Sequence, residues 1–478
     1  MLALHTGADL PVAGWLFSIF LLRFTRSSKP LTGLLWVLGV NVVGTLVWCC
    51  TTGLLFSLPV LFAFLFLAVL ASLPYVLDRL LAHRFGWLLG SLLFPLGRVA
   101  AEYGFQAITD FGNYGSLAAT QYGSLPLLQL ATVTGSYGVS FLIAWLASIA
   151  NVGWERKLLR PVLVYSSVLV TVLGLGAARM SWTAPNSPTV RVAGISPERK
   201  TLQAVWSTHS QAAFETVNAE MIARTKTEAR AGAKIVVWSE ESGYATKATE
   251  TALIDRVRQV ARTSGIYVDM HLNVVSDRAP LLRNKAILLT PTGQVGWDYE
   301  KAHPTPQEAS EGMVDGGEPA PTLMTPYGRI GTLICYDLDF PALAGKANAD
   351  ILLVPANDWS GFADLHAQLA TIRAIEDGTS IVREASNGVA TVTDFQGRTI
   401  AYSDYSTNAS QTLVADVPTR SAATIYRLFG DLFAWLCLVA LLVLVLISRR
   451  SARPGRRQSP PELDSLPPDA TKSHSHTS

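Results

Sequence analysis

The chain has 478 residues and a formal net charge of +2, with 49% hydrophobic but only 15% charged residues. A mean hydropathy of +0.30 excludes an ordinary soluble protein along the whole length. The small net charge and the lack of a nucleic-acid motif give no reason to expect a nucleic-acid partner. Cys49, Cys50 and Cys437 lie in apolar stretches, so no disulfide framework is suggested.

Apolar residues are concentrated in regions 11–180 and 428–448, on either side of an amphipathic middle. A helix that crosses a bilayer needs about 20 apolar residues. The pattern predicts seven membrane spans, at residues 11–22, 31–51, 53–77, 86–103, 127–151, 161–180 and 428–448. The first is the shortest, and the residues before it lack a basic n-region, which favours an uncleaved anchor over a signal peptide.

Basic residues cluster after the first, third, fifth and seventh spans, and they are Arg23, Arg26, Lys29, Arg79, Arg84, Arg156, Lys157, Arg160, Arg449, Arg450, Arg453, Arg456 and Arg457. If all seven spans are real, every cluster lies on one side, as the positive-inside rule requires. The predicted organisation is an N-terminal membrane domain of about six helices (1–180), an extracytoplasmic domain (181–427), a C-terminal membrane helix (428–448) and a disordered, basic cytoplasmic tail (449–478).

The middle of the chain alternates between strand and helix patterns. Predicted strands are 189–195, 234–239, 266–275, 284–290, 294–300, 330–335 and 350–355, with shorter ones near 380–385, 389–394 and 399–402; predicted helices are 205–231, 249–264 and 363–377. This alternation predicts a layered α/β domain.

Three chemically useful side chains lie at the carboxyl ends of predicted strands in this domain: Glu240, Lys301 and Cys335. Catalytic groups collect at the carboxyl ends of strands in α/β proteins. A glutamate can accept a thiol proton, and a lysine can stabilise a thiolate or an oxyanion. Backbone N–H groups at a strand-to-helix turn are expected to lower the pKa of the thiol. A buried structural cysteine or a solvated charge would explain each residue alone, but their joint placement predicts a catalytic site.

In these three segments the chain resembles the nitrilase superfamily, whose Glu-Lys-Cys triad has the same contexts. The resemblance covers roughly residues 189 to 418 and includes residues 351–359, His366, residues 373–376 and residues 393–398. It implies an α-β-β-α sandwich, in which Glu240 is the general base, Lys301 the oxyanion stabiliser and Cys335 the nucleophile.

A nitrilase-like domain between membrane helices further resembles the apolipoprotein N-acyltransferases, bacterial enzymes that add the third acyl chain to lipoproteins. Segments 123–130 and 135–141 are similar to a membrane stretch of that family. Glu102 resembles a family position near the outer membrane face, and Trp206 a substrate-loop tryptophan, although packing explains either one equally well.

The resemblance implies a phospholipid acyl donor, a diacylated apolipoprotein acceptor, and neither a cofactor nor a metal. The expected location is the bacterial cytoplasmic (inner) membrane, with the catalytic domain facing the periplasm or the cell exterior. The expected fold is a multi-pass α-helical membrane domain joined to an α/β nitrilase-like sandwich.

Three segments depart from the family pattern. The usual Trp-Pro-Glu reads Trp238-Ser-Glu240, and a second acid, Glu241, follows. The loop after the lysine is one residue shorter and supplies Glu308, or alternatively Glu311, as its acid. The usual Cys-Tyr-Glu reads Cys335-Tyr336-Asp337, which leaves Tyr336 and Asp337 as candidate substrate-site residues.

Two functions remain open at this point. An acyltransferase would pass its thioester to an amine, whereas a membrane-anchored carbon–nitrogen hydrolase (amidase or nitrilase-like) would resolve it with water. A receptor or scaffold without activity is disfavoured by the intact triad. An apolar cleft that opens from Cys335 toward the bilayer would favour transfer, and a closed aqueous pocket would favour hydrolysis.

Overall fold

The computed structural model describes residues 10–54, 58–182, 187–317, 319–405, 407 and 411–451. The predicted cytoplasmic tail beyond residue 451 lies outside the described residues.

The N-terminal region is helical, with α1 (Pro11–Ser27), α2 (Pro30–Thr52), α3 (Leu58–Leu81), α4 (Trp87–Ile108), α5 (Leu125–Leu128), α6 (Ala131–Thr134), α7 (Ser136–Arg156) and α8 (Leu159–Trp182). The predicted span 127–151 is wrong at its start, because Gly135 interrupts the helix with a φ of +64°. A Cβ at this position would lie 2.5 Å from the ring of Tyr426, so the chain needs a glycine here.

The predicted extracytoplasmic domain (181–427) is called the catalytic region below. Its helices and those of the C-terminus are α9 (Arg199–Thr208), α10 (Gln211–Arg230), α11 (Glu250–Ser264), α12 (Pro306–Ser310), α13 (Pro341–Ala347), α14 (Ala363–Asp377), α15 (Ile425–Phe429) and α16 (Leu432–Ser451). The strands are β1 (Thr189–Ser196), β2 (Ile235–Trp238), β3 (Tyr244–Thr246), β4 (Tyr267–Val275), β5 (Leu282–Leu289), β6 (Val295–Glu300), β7 (Thr322–Thr325), β8 (Gly328–Thr332), β9 (Ile351–Asn357), β10 (Ser380–Ser386), β11 (Val389–Thr393), β12 (Thr399–Asp404) and β13 (Gln411–Pro418).

Five of the described helices are long and apolar enough to cross a membrane: α2, α3, α7, α8 and α16. Helices α1 and α4 lie at the other two predicted positions and pack in the same bundle, α1 against α7 and α4 against α3, α7 and α16. With 17 residues α1 is short for a bilayer, and α4 carries Arg98 and Glu102. The protein is therefore a multi-pass membrane protein, while crossing by α1 and α4 stays a prediction.

The basic clusters meet at one face of the helix bundle. Arg26 lies 2.7 Å from Asp78 Oδ1 and 3.2 Å from Glu155 Oε2, so it joins the ends of α1, α3 and α7. Arg84 Nη1 donates to the carbonyl of Ser448 near the end of α16 at 3.1 Å. The catalytic region packs on the opposite face, where α2 and α4 end.

Two stacked sheets form the centre of the catalytic region. One has the order β13-β1-β2-β4-β5-β6 with β3 beside β4, and the other has the order β12-β11-β10-β9-β8-β7. Apolar side chains from both sheets fill the space between them. Helices α9, α10 and α11 cover the first sheet, and α14 covers the second. The expected α-β-β-α sandwich is confirmed.

Some predicted boundaries are wrong for local reasons. The predicted helix 205–231 is two helices, because His209 adopts a left-handed conformation after α9 and the Ser210 hydroxyl caps α10 by accepting from Ala213 N. The predicted strand 330–335 ends at Thr332, and Cys335 begins a 3-10 turn instead. Strands β3, β7 and β13 were not predicted.

Helix α14 joins the two regions. All of its residues except Asp364 are buried, since one face packs on β10 and β11 and the other on the membrane domain. Leu365, Leu369 and Ile372 belong to the same apolar cluster as side chains of α2, α3 and α7. The sandwich is therefore built into the membrane domain rather than tethered to it.

The loop after α4 makes a second contact between the two regions. Gly112 in this loop leaves no room for a side chain. This glycine has a φ of +53°, and a Cβ there would lie 2.5 Å from the carbonyl oxygen of Asp339. The left-handed conformation alone costs an alanine about 1–2 kcal/mol. We expect Gly112→Ala to lower the melting temperature of the detergent-solubilised protein.

The matched control is Gly104→Ala in α4, where a Cβ would meet no atom within 4 Å. This variant should melt at or above the wild-type temperature, because alanine favours a helix over glycine. Equal melting temperatures for the two variants would contradict the tight junction at Gly112.

Candidate active site

The predicted triad residues line one cavity at the junction of the two regions. Glu240, Lys301 and Cys335 follow β2, β6 and β8, respectively. The cavity is also lined by Glu241, Glu308, Glu311, Tyr336, Asn357, Asp358 and His366, and by an apolar group of residues described below. The structure therefore brings together side chains that follow strands of both sheets, although Glu240 and Cys335 are 95 residues apart in the sequence.

Lys301 is shared between two carboxylates. Its Nζ lies 2.9 Å from Glu240 Oε1 and 2.8 Å from both carboxylate oxygens of Glu308. Asn284 Nδ2 donates to Glu240 Oε1 at 2.8 Å, and Asn284 Oδ1 lies 2.6 Å from His271 Nε2. This network fixes the Glu240 carboxylate from two directions.

Burial and neighbouring charges have opposite effects on the pKa values of Glu240 and Lys301. Burial disfavours the charged form of Glu240, but the Lys301 charge and hydrogen bonds from Lys301 and Asn284 outweigh burial and lower its pKa. Burial also opposes the charge on Lys301, yet Glu240 and Glu308 raise the pKa of Lys301 well above its usual value. The site therefore holds an ionised Glu240 and a charged Lys301.

Glu308 is held by its own helix. The Thr305 hydroxyl accepts from Glu308 N, while Thr305 N donates to Glu308 Oε2 at 2.7 Å, which forms a capping box at the start of α12. Burial and the charge of Glu240 raise the pKa of Glu308, against the effect of Lys301. Of the two acids considered for this loop, Glu308 contacts Lys301, whereas Glu311 lines the cavity and accepts from Gln307.

Cys335 is buried and has a strained backbone. Its φ is +48°, and its Sγ lies 3.6 Å from the carbonyl oxygen of Asn357. Six described residues other than glycine have a positive φ, and three of them (Lys157, His209 and Asn348) simply end helices. The other three are Glu241, Cys335 and Asn387, whose Nδ2 donates to Asn357. Strain is thus concentrated around this cavity.

The expectation of a lowered thiol pKa is wrong. Burial and the nearby Glu240 carboxylate raise the pKa of Cys335 well above its usual value, and Lys301 and Arg383 do not compensate. The physical reason is that the turn lies deep between the sheets, where desolvation exceeds the help from local dipoles. The thiol is therefore protonated at rest and needs a base.

Asp337 holds the turn that carries Cys335. Its Oδ2 accepts from Tyr299 OH at 2.8 Å and from Ile334 N at 3.1 Å, and its Oδ1 accepts from His303 N at 2.8 Å. Asp337 is not among the residues that line the cavity. Tyr336 lines the cavity, and its hydroxyl donates to the carbonyl of Asp110 in the loop after α4.

Glu102 and Trp206 lie outside the cavity lining. Glu102 accepts from Arg98 Nε at 2.8 Å and from Leu117 N at 3.1 Å, so it anchors the loop after α4. Trp206 is half-buried beside the first sheet, and its Nε1 lies 3.3 Å from Tyr244 OH.

A second charged group borders Cys335. His366 Nδ1 lies 2.8 Å from Asp358 Oδ1, its Nε2 lies 3.0 Å from Asp339 Oδ2, and Arg383 pairs with Asp358 at 2.8 Å. Burial opposes the charged imidazole, but Asp339 and Asp358 raise the pKa of His366 to about 9.

Cys335, Asp358 and His366 are the set of potential metal ligands found among the described residues, with ligand atoms within 4.8 Å of one another. We assign no metal to them, because Asp358 and His366 already neutralise Arg383 and Asp339.

The remaining wall of the cavity is apolar and comes mainly from the membrane side. Its residues are Leu54 at the end of α2, Phe111 and Tyr114 in the loop after α4, and Trp359 and Phe362 between β9 and α14. Trp359 donates to the carbonyl of Thr52, which ties this wall to α2. The sequence did not identify these residues, or Asn284 and Asn357, as part of the site. Asn284 stands between Arg283 and Lys285 in the polar first half of β5, so the sequence pattern did not distinguish it.

Comparisons with known proteins cover both regions. Residues 189–426 match the carbon-nitrogen hydrolase family, and residues 2–149 match the family described as apolipoprotein N-acyltransferase N-terminal domain. The chain is 28% identical to the apolipoprotein N-acyltransferase of Geobacter metallireducens, over 90% of this chain and 87% of that one.

It is also 22% identical to the enzyme of that name from Rickettsia prowazekii, over 87% of this chain and 86% of that one. Among solved structures, an amidase from Nesterenkonia sp. aligns with a TM-score of 0.39 and 19% identity, covering 50% of this chain and 94% of that one.

The raised pKa of Cys335 predicts the pH dependence of its reaction with iodoacetamide. The reference thiol is introduced by Ser207→Cys at an exposed position of α9 in the same molecule. An exposed thiol titrates near pH 8.5, so its alkylation rate should level off above that value. The rate at Cys335 should be much lower at neutral pH and should still rise where the reference has levelled off. Peptide mass spectrometry follows both sites, and a plateau for Cys335 below pH 8 would contradict the raised pKa.

Proposed function

The chain belongs to the apolipoprotein N-acyltransferase family, and we propose that it moves a fatty acyl chain from a membrane phospholipid to the amine of an apolipoprotein's diacylglyceryl-cysteine, through a thioester on Cys335. Matches to this family in both the membrane and the catalytic regions support the proposal. The observation that carries it is the composition of the cavity wall. One side holds Glu240, Lys301 and Cys335, and the other is an apolar surface formed where membrane helices end.

The first step is acyl transfer to Cys335. Glu240 accepts the thiol proton, and the sulfur attacks the ester carbonyl of the phospholipid. Lys301 Nζ, with the peptide N–H of Tyr336, stabilises the oxyanion of the tetrahedral intermediate. As the carbon–oxygen bond breaks, Glu240 returns the proton to the leaving oxygen, and lysophospholipid departs.

The second step is aminolysis of the thioester. The acceptor amine attacks the carbonyl, its proton passes to Glu240, and the carbon–sulfur bond breaks. Cys335 leaves as a thiolate and recovers the proton from Glu240. Both substrates carry acyl chains whose removal from the membrane costs about 0.8 kcal/mol per CH₂, so a site at the membrane surface lets the chains stay buried.

Hydrolysis of a small amide is the less favoured function. It would share the same triad, and the sandwich matches the carbon-nitrogen hydrolase family. A hydrolase, however, gains nothing from Leu54, Phe111 and Trp359 around the nucleophile, whereas acyl chains require such a surface.

We expect Glu240→Gln to slow acylation of Cys335 by about 10²–10⁴, because an amide cannot accept the thiol proton. The purified protein is mixed with phospholipid, and mass spectrometry follows the fatty-acyl adduct over a single turnover. Cys335→Ala should give no adduct.

The matched control is Glu384→Gln, which alters a buried glutamate of β10 outside the cavity lining. It should acylate at close to the wild-type rate. A wild-type protein without an adduct would contradict the transferase function, and a Glu240→Gln rate near wild type would contradict the base assignment.

The orientation of the chain follows from its charges. The basic cluster at one face of the bundle favours the cytoplasm, which supports a catalytic region in the periplasm or at the cell exterior. Single cysteines introduced by Arg450→Cys and Ser207→Cys should react with a membrane-impermeant maleimide from opposite sides of the membrane. Labelling of both in intact cells would contradict the orientation and the crossing by α16.

A further inference from the structure

Glu241 is an acid in the cavity that the proposed mechanism leaves without a role. It follows Glu240 directly, and its φ of +60° turns the chain so that both side chains line the same cavity. Its peptide N donates to His271 Nδ1 at 3.1 Å, which fixes the turn. The alternation of side chains in a strand predicts that one of these acids faces away, but β2 ends at Trp238, so alternation does not apply.

The other inner acids of the cavity have cationic partners. Glu240 and Glu308 share Lys301, and Asp358 pairs with Arg383 and His366. Within the described part of the chain, no ion pair involves Glu241. A cation that entered the cavity would therefore find Glu241 available beside the nucleophile.

When no acceptor is bound, the surroundings of Glu241 favour its neutral, protonated form. Burial, Glu240 and Glu308 raise the pKa of Glu241 to about 8, against smaller opposing effects of Lys301 and a hydrogen bond from Trp206. The first step can then form a thiolate without a third carboxylate nearby. An α-amino group titrates at about 7.7–8.0, so a carboxyl with this pKa exchanges a proton with an α-ammonium at little cost.

We propose that Glu241 is the docking group for the acceptor's primary ammonium, which it binds over the Cys335 thioester; this inference rests on the proposed transferase function. As the ammonium binds, Glu241 releases its proton to solvent, and the resulting carboxylate accepts a hydrogen bond and then one proton from the ammonium, which leaves a neutral amine and a neutral acid. The amine attacks the thioester as described above, and Glu241 is again the neutral acid of the empty site.

The experiment separates the two half-reactions. Wild type, Glu241→Gln and the control Glu384→Gln are acylated with phospholipid and then mixed with a diacylated peptide that has a free N-terminal amine. We expect Glu241→Gln to acylate within a few-fold of wild type, but to need at least tenfold more peptide for half-maximal transfer. Glu384→Gln should match wild type in both steps.

A second nucleophile, which carries little positive charge, tests whether Glu241 recognises the charge of the ammonium. Hydroxylamine is largely neutral at pH 7 and needs no ammonium site, so it should release the acyl group from wild type and Glu241→Gln at similar rates. Three results would overturn the proposal: an unchanged peptide dependence, an equal slowing of acylation and transfer, or an equal loss with hydroxylamine. A wild-type protein that never forms the adduct would instead refute the transferase function itself.

Discussion

The site depends on a buried lysine that is shared by two carboxylates. Lys301 is 1% exposed, and it lies within 2.9 Å of both Glu240 and Glu308. Removing one partner of a buried ion pair typically costs about 3–5 kcal/mol, because the remaining charges stay desolvated. The three groups therefore hold one another in place, and the same charges keep Glu240 ionised beside a thiol whose pKa burial has raised.

This electrostatic arrangement requires a site without bulk water, and the fusion of the two regions provides it. Helix α14 is buried on both faces, and the loop after α4 contacts the turn of Cys335 through Gly112, Tyr114 and Asp110. Tyr114 OH donates to Asp339 Oδ2 at 2.7 Å, next to the charged His366. The membrane domain thus forms part of the cavity wall, which explains why an apolar surface and a buried triad occur together.

The backbone is strained at two residues that line the cavity. Glu241 and Cys335 both adopt left-handed conformations, which are unfavourable for residues with a Cβ. In return, the chain places two acids in a row into one cavity and turns the thiol away from the strand axis. The placement of Glu241 in the cavity underlies the role inferred for it in binding an ammonium. The turn at Cys335 allows its Sγ to lie between the two sheets.

The sequence by itself determined the fold class and predicted three side chains that the structure brings into one cavity. The strand patterns around residues 235 and 295 were strong enough to locate Glu240 and Lys301, and the basic clusters indicated which helix ends lie together. These features are local, or depend only on composition. Tertiary structure decided what periodicity cannot encode: that Cys335 follows its strand in a turn, that Asp337 accepts hydrogen bonds from Tyr299 and from backbone N–H groups, and that Glu241 shares the cavity with Glu240. It also decided the pKa of the thiol, because desolvation depends on how deeply the turn is buried between sheets and membrane helices that lie far apart in the chain.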